Sequence, residues 1–340
     1  MRERIVTPEK FSEEEEQYIV SLRPKTLSDY IGQKKMVEKL SVSLEACKKR
    51  GESHEHMLLY GPPGLGKTTL AHILSAEMGT RLIVSSGPSL QRTGDLMGIL
   101  TNLEEGDILL IDEIHRLAPA VEEFIYPAME DFKVDFVVDK GTFARVINVP
   151  LKKFTLVGAT TRAGLISAPL RDRFGITHHL DFYPPEELAE IIRRSSVILN
   201  LNVDRKASLE IARRSRGTPR IANRLLRRVR DYSQVNNHHK IDTGTVIKSL
   251  EMEGIDSAGL DDLDRRMITT MIDLYKGGPV GIESIAATLN EESGTLEEMV
   301  EPYLLKIGFV KRTRQGRVVG DAALRHLKLT RKSDDQQNLL

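Results

Sequence analysis

The chain has 340 residues, 40% hydrophobic and 29% charged, which suits two or three packed domains and argues against wholesale disorder. Its formal net charge is zero, its single cysteine excludes an internal disulfide, and no apolar run approaches the about 18 residues needed to span a bilayer. Cys47 has no histidine placed beside it in a catalytic pattern and reads as an inert thiol. The start, Met1-Arg2-Glu3-Arg4, lacks the apolar core of a signal peptide, so the expected location is the cytoplasm.

Residues 1–20 are polar, include the acidic run Glu13-Glu14-Glu15-Glu16, and read as a flexible acidic leader. In Leu22-Arg23-Pro24-Lys25-Thr26-Leu27-Ser28-Asp29-Tyr30-Ile31-Gly32-Gln33, Pro24 stiffens an extended segment, and Leu22, Leu27, Tyr30 and Ile31 are spaced to pack. A helix over 34–49 follows. His56-Met57-Leu58-Leu59-Tyr60 reads as a buried strand, and 70–78 as a helix. Between them lies Gly61-Pro62-Pro63-Gly64-Leu65-Gly66-Lys67-Thr68-Thr69, which fits G-x-x-x-x-G-K-[ST] in the strand–loop–helix context that motif needs. The glycines let backbone N–H groups turn inward onto phosphate oxygens, and the helix N-terminus adds partial positive charge. Lys67 is expected to reach the β- and γ-phosphates, and Thr68 to hold Mg²⁺.

The stretch 85–100 is small and polar and has no aromatic residue, so it offers no aromatic pore loop of the protein-unfolding kind. In Asp107-Ile108-Leu109-Leu110-Ile111-Asp112-Glu113-Ile114-His115, an apolar run reads as a fully buried parallel strand, ending in two carboxylates where the edge of such a sheet opens to ligand. Asp112 is expected to hold the Mg²⁺ shell and Glu113 to orient and deprotonate the attacking water. Alone the pattern is weak; 45 residues after Lys67 it becomes strong. Strands over 134–138 and 142–149 around Asp139-Lys140-Gly141 predict a hairpin. Its apolar Val137, Ile147 and Val149 either pack on their own sheet or form an exposed docking patch. A buried strand over 154–159 delivers Thr160-Thr161-Arg162, with Thr160 favoured as the hydroxyl that meets the γ-phosphate or the water.

In Arg171-Asp172-Arg173, a surface ion pair is the reading for Arg171. Arg173 reads as an arginine finger, since a guanidinium is always charged and matches phosphate in two-pronged geometry. Asp181-Phe182-Tyr183-Pro184-Pro185 marks a domain boundary. A helical region runs from Glu186 to about Gly254, and its stretch 211–230 holds eight arginines and no acid. Ile221, Leu225 and Val229 form an apolar stripe beneath them. The arginines read as a solvated face, as phosphate contacts to nucleic acid, or, through Gly217-Thr218-Pro219-Arg220, as a γ-phosphate sensor. Helices over 263–275, 282–289 and 295–306 precede a hairpin over 308–319 with basic Lys311, Arg312, Arg314 and Arg317, which predicts a winged helix. Glu297, Glu298 and Glu301 on its third helix oppose phosphate, so DNA contact is expected from the wing, to backbone. The tail 333–340 reads as disordered.

Taken in order, these motifs over about residues 20–330 resemble the RuvB family of AAA+ ATPases, the bacterial Holliday-junction branch-migration motors. The expected fold is an α/β P-loop NTPase (AAA+) large domain over 21–183, a small all-helical domain over 184–255 and a winged-helix head over 256–332. The resemblance implies an ATP hydrolase that uses ATP and Mg²⁺ and pumps double-stranded DNA through a homohexameric ring in recombination and repair, partnered by RuvA and RuvC. It implies that Leu22, Arg23 and Tyr183 face adenine and ribose, and that Gly61 and Gly64 through Thr69 hold phosphate. It also implies that Glu130, Asp131 and Phe132 lie near the nucleotide. Arg173 then acts in trans, Arg220 is sensor 2 in cis, Thr160 is sensor 1, Ile147 and Val149 dock RuvA, and Arg312 and Arg317 contact DNA. Ser293 and Gln315 depart from the arginines common in relatives, with Arg314 as a substitute. The alternative is a clamp-loader-like or protein-remodelling ATPase, which would carry a helical collar instead of a basic wing.

Overall fold

A computed structural model describes residues 21–138 and 145–329, which divide at Glu187/Leu188 into two compact units. The expected leader, the turn at 139–141, the side chain of Val137 and the tail lie outside the described residues or side chains.

In the first unit, five strands form one parallel sheet: β1 (Met57–Tyr60), β2 (Leu82–Ser86), β3 (Ile108–Asp112), β6 (Thr155–Thr160) and β7 (Ile176–His179), in the order β2-β3-β6-β1-β7. Residues 108–111 are buried on both faces, as their unbroken apolar run requires. The registers set Tyr60 beside both Thr160 and His179, and Ser86 beside Asp112. The C-terminal strand ends therefore share one edge, and the glycine-rich loop leaves that edge directly after Tyr60. Helices over Lys34–Arg50, Lys67–Met78, Thr93–Leu100 and Pro119–Glu130 accompany the sheet. The phosphate-loop helix starts at Lys67, three residues before the expected start. Helix 93–100 has no counterpart in the sequence reading. Strands β4 (Lys133–Val138) and β5 (Arg145–Pro150) make the expected antiparallel hairpin, with Val134 opposite Val149 and Phe136 opposite Ile147.

The second unit opens with four helices that include Arg205–Arg214, Pro219–Val235 and Thr243–Met252. Asp204, Thr218 and Asp242 cap these three with side-chain oxygens. Helices Asp262–Asp273 and Ile282–Leu289 follow. The next helix is interrupted: α over Ser293–Thr295, a π-helical turn over Leu296–Val300, then α again over Glu301–Lys306. Strands β8 (Val310–Thr313) and β9 (Gly316–Val319) form the wing. Met267, Met271, Ile285, Leu296, Val300, Leu304 and Val310 are among the residues that close a core beneath these helices and the wing. One buried ion pair, Arg216 to Asp264 at 3.0 Å, joins the four-helix region to the winged helix. Arg216 also lies 4.8 Å over the ring of Tyr303.

Candidate nucleotide site and basic wing

The loop after β1 is shaped by glycines in backbone regions that side chains resist. Gly61 has φ 142° and packs so closely that a Cβ would fall 2.2 Å from the Leu180 carbonyl oxygen. Gly66, at φ 99°, caps the helix that carries the next two functional residues. Leu65 is buried and anchors the loop. Lys67 is 8% exposed, and its ammonium donates to the carbonyls of Gly61 (2.7 Å) and Pro62 (2.9 Å). A cation is thus held inside the loop, where phosphate oxygens would replace the carbonyls. The Thr68 hydroxyl donates to Asp112 Oδ2 at 3.4 Å, across 44 residues of sequence. Asp112 Oδ1 accepts the Glu113 N–H at 2.9 Å. Among the described residues no group of three or more His, Cys, Asp or Glu could hold a metal. A hydroxyl, one carboxylate and phosphate oxygens with water are, however, the donor set Mg²⁺ takes in such sites. The loop, Lys67, Thr68 and Asp112 fit a magnesium nucleotide.

Glu113 sits at φ 48°, an unusual backbone conformation for a non-glycine residue. Its carboxylate is 42% exposed and accepts from Arg116 at 3.0 Å. Thr160 is fully buried. Its hydroxyl pairs with His115 Nδ1 at 2.9 Å and accepts the Arg162 N–H at 2.9 Å. The side chain favoured as sensor is therefore already engaged with the turn that follows β3, while Thr161, next along, is only half-buried.

Leu22 is 2% exposed and Arg23 half-buried. His72, on the helix after the loop, is held below its ordinary pKa by burial and then by the charge of Arg23. Tyr183 donates from its hydroxyl to that of Tyr30 at 2.8 Å, and both hydroxyls lie 3.4–3.5 Å from the Leu65 carbonyl. Burial pushes the Tyr30 phenol up to about 12 and Tyr183 higher still, so both remain donors. The Gln33 amide donates to the Asp181 carbonyl at 2.5 Å, fastening segment 22–33 to the one after β7. Tyr30 was read from the sequence only as a packing residue; its hydroxyl marks it as part of this wall.

Arg173 meets Glu130 of its own chain at 3.1 Å, donates to the Pro169 carbonyl at 2.7 Å and lies 4.3 Å over the ring of Tyr126. Two expected nucleotide-proximal residues, Glu130 and Arg173, are thereby brought together, with Asp131 and Phe132 adjoining. Arg220 is the second residue of helix 219–235, in the other unit.

On the wing, geometry redirects the expected phosphate contacts. Arg312 donates to Glu301 at 2.5 and 2.9 Å, and Arg317 divides its guanidinium between Glu301 (2.9 Å) and Glu297 (3.0 Å). The Glu301 side chain is fully buried. Burial alone would raise its pKa, but hydrogen bonds from the two arginines hold it below the ordinary value. Arg312 stays 54% exposed and Arg317 only 16%. Arg314 and Lys311 are exposed, and Gln315 is exposed between the strands. The awkward acids of the third helix thus serve as seats for the wing's arginines.

The arginine-rich stretch is not a solvated face. Arg214, Arg216 and Arg224 are at most 4% exposed. Arg214 pairs with Glu210 at 2.7 Å, Arg216 with Asp264, and Arg230 with Asp231 at 2.8 Å, all acids outside the 211–230 window. On the β4–β5 hairpin Ile147 is 49% exposed, whereas Val149 packs onto the core of the first unit. The two share a face, but Val149 sits at the hairpin's base and Ile147 further out, so only Ile147 is available as an apolar contact.

Three family models match the chain in succession: the Holliday junction DNA helicase RuvB P-loop domain over 22–180, the RuvB AAA lid domain over 183–256 and the RuvB C-terminal winged helix domain over 257–328. The chain belongs to the RuvB family. The solved structure described as the Thermotoga maritima RuvB Holliday junction branch migration motor is 51% identical, with a TM-score of 0.84 over 91% of this chain and 99% of that one. A mutant of the same RuvB matches at 51% identity and a TM-score of 0.84, covering 91% and 98%. The RuvB winged-helix match ends at 328, just past the last helix, Asp321–His326. No helix among the described residues is long and apolar enough to cross a membrane.

Proposed function

We infer that this chain is an ATP-driven motor that drives branch migration of Holliday junctions, with its nucleotide pocket built at the C-terminal edge of the five-stranded sheet. The observation that carries the reading is the meeting of Thr68 and Asp112 beneath a loop that already encloses the Lys67 ammonium. When bound, Mg²⁺ neutralises phosphate charge and orients the scissile bond. Lys67 leaves the Gly61 and Pro62 carbonyls for phosphate oxygens, while the loop N–H groups point at the same anion. Thr68 and Asp112 are the residues that would hold the cation. Glu113, exposed and facing out of the strand end, orients the water and accepts its proton. Thr160, hydrogen-bonded to His115, ties the end of β6 to the turn that follows Glu113, beside the water's path. Leu22, Arg23, Tyr30 and Tyr183 wall the base and ribose, and Glu130, Asp131 and Phe132 border the pocket on the finger's side. Arg220, on helix 219–235, is proposed as the sensor 2 residue that the family resemblance implies.

Arg173 completes the pocket of a neighbouring protomer in a homohexamer, so hydrolysis depends on assembly. Its pairing with exposed Glu130 supports this, because such a pair yields readily to phosphate. Arg312 and Arg314 engage the DNA backbone, with Arg317 as a brace. Ile147 docks RuvA, and RuvC joins the larger complex in the cytoplasm. The proposed domains are 21–183, 184–255 and 256–332. A clamp-loader-like role is disfavoured by the wing, since a collar has no use for one. The test is ATP-dependent conversion of a synthetic four-way junction into duplexes, with and without RuvA. Conversion that requires ATP and increases with RuvA is expected. ATP hydrolysis with no change in the junction under any condition would count against the motor.

A further inference from the structure

Tyr126 belongs to no motif, yet it touches the arginine on which the mechanism turns. We propose that the ring of Tyr126 is the platform that sets the plane of the Arg173 guanidinium, making Tyr126 a positioning residue for hydrolysis at the pocket Arg173 serves. The proposal rests on the reading of Arg173 as a finger.

Four observations carry it. The Arg173 Cζ lies 4.3 Å from the ring centroid, within cation–π range. One terminal nitrogen donates to the Pro169 carbonyl at 2.7 Å, the other meets Glu130 at 3.1 Å, and Nε is sealed from solvent with no hydrogen-bond partner. The buried Nε gains nothing from water, so the ring face is what offsets its desolvation. Tyr126 is itself pinned: its hydroxyl donates to Glu122 Oε1 at 2.7 Å, and the Ser167 hydroxyl donates to the same oxygen. Ser167 in turn accepts the Leu170 N–H at 3.2 Å and so caps the short helix Ala168–Asp172 that ends at Arg173. The finger's segment is therefore registered to helix 119–130 at both ends, by a hydroxyl at its start and by a ring at its tip. Burial, opposed by Ser167 and assisted by Glu122, raises the phenol's pKa, so Tyr126 keeps its proton and donates it to Glu122.

The holds on Arg173 differ in kind. Glu130 is 54% exposed, and an ion pair that solvent reaches so freely holds weakly, so it releases Arg173 to a phosphate. The ring lies beneath the plane and competes for none of the edge N–H groups that phosphate needs. A tyrosine serving only as core filler would be fully buried and would not present its face to a half-buried cation.

The test is steady-state ATPase of the assembled full-length protein. Tyr126→Leu is expected to lower kcat about tenfold, the upper part of the cation–π range, with KM for ATP within about twofold. Tyr126→Phe, which keeps the ring, should stay within about twofold to threefold of the parent. Adding Tyr126→Leu to Arg173→Ala should cause no further loss. Mixing Tyr126→Leu with Glu113→Gln subunits should restore activity, because the leucine subunit's own pocket is intact; a merely structural defect would not be complemented. Should the leucine chain not fold, a ring-fluorinated phenylalanine at 126 drains charge from the ring face while keeping its shape, and should lower kcat below that of Tyr126→Phe. A parental kcat for Tyr126→Leu, or a loss that adds fully to that of Arg173→Ala, overturns the proposal while leaving the finger standing. A parental rate for Arg173→Ala would instead overturn the finger reading, and the platform with it.

Discussion

Arg173 and Arg317 are both guanidiniums seated on carboxylates of their own chain, but the seats differ. Arg173 rests on Glu130, half of which is exposed, while Arg317 shares the fully buried Glu301 with Arg312 and adds Glu297. A solvent-exposed pair contributes about 0–1 kcal/mol, whereas breaking a buried one costs about 3–5 kcal/mol. The first arginine can therefore be drawn to an incoming phosphate; the second is held in place and shapes the wing. Both occur in short basic motifs, and the partner's burial, which no motif encodes, separates a cation on an exposed seat from one on a buried seat.

The comparison can be broken from either side. The largest expected effect is at the nucleotide pocket: Lys67→Ala should reduce ATP hydrolysis by about 10³-fold or more, read by phosphate release, because the phosphates lose their central cation. Arg173→Ala should follow, with a loss of about 10³-fold in the assembled protein and little change in thermal midpoint, as befits a cation with an exposed partner. Glu301→Gln should do the reverse, leaving DNA-free ATPase near parental and costing about 3 kcal/mol in winged-helix stability by denaturant unfolding, at the low end because Arg312 can still reach water. A smaller contrast lies on the wing itself. Arg314→Ala should reduce the salt slope of DNA binding by about one unit, while Arg317→Ala should act mainly on stability.

The smallest effect is that of pH. The folded-state pKa of Glu301 is depressed, so its contribution is fully present above the ordinary value of 4.5 and is lost as pH falls below it. Acid melting curves should be shallower for Glu301→Gln than for the parent.

These contrasts also explain how much was legible beforehand. The phosphate loop, the acidic strand end and the wing were readable because their chemistry is local: Gly61 to Thr69 and Asp112-Glu113 carry it within a few residues. The strand ends then had only one edge to share, which is why Thr68 and Asp112 meet as expected. Pairing across the chain was not readable. The arginines of 211–230 stayed open between a solvated face, nucleic-acid contacts and a phosphate sensor because the acids of three of them, Glu210, Asp231 and Asp264, lie outside the window, one of them 48 residues from its partner. Glu301 looked repulsive to DNA because its two arginine partners come from the following hairpin. Val149 looked like Ile147 because alternation assigns a face, not a depth. Tyr30 passed as a packing residue and Tyr126 belonged to no motif, because only the fold brings their hydroxyl and ring to Leu65 and Arg173.

The most direct test of the central claim, that Arg173 acts on a neighbour's nucleotide, is ATPase activity in mixtures of Arg173→Ala and Glu113→Gln subunits. Each is expected to be inactive alone, and activity should appear at intermediate ratios, where an intact pocket meets an intact finger. Silence at every ratio, with assembly verified, would contradict it.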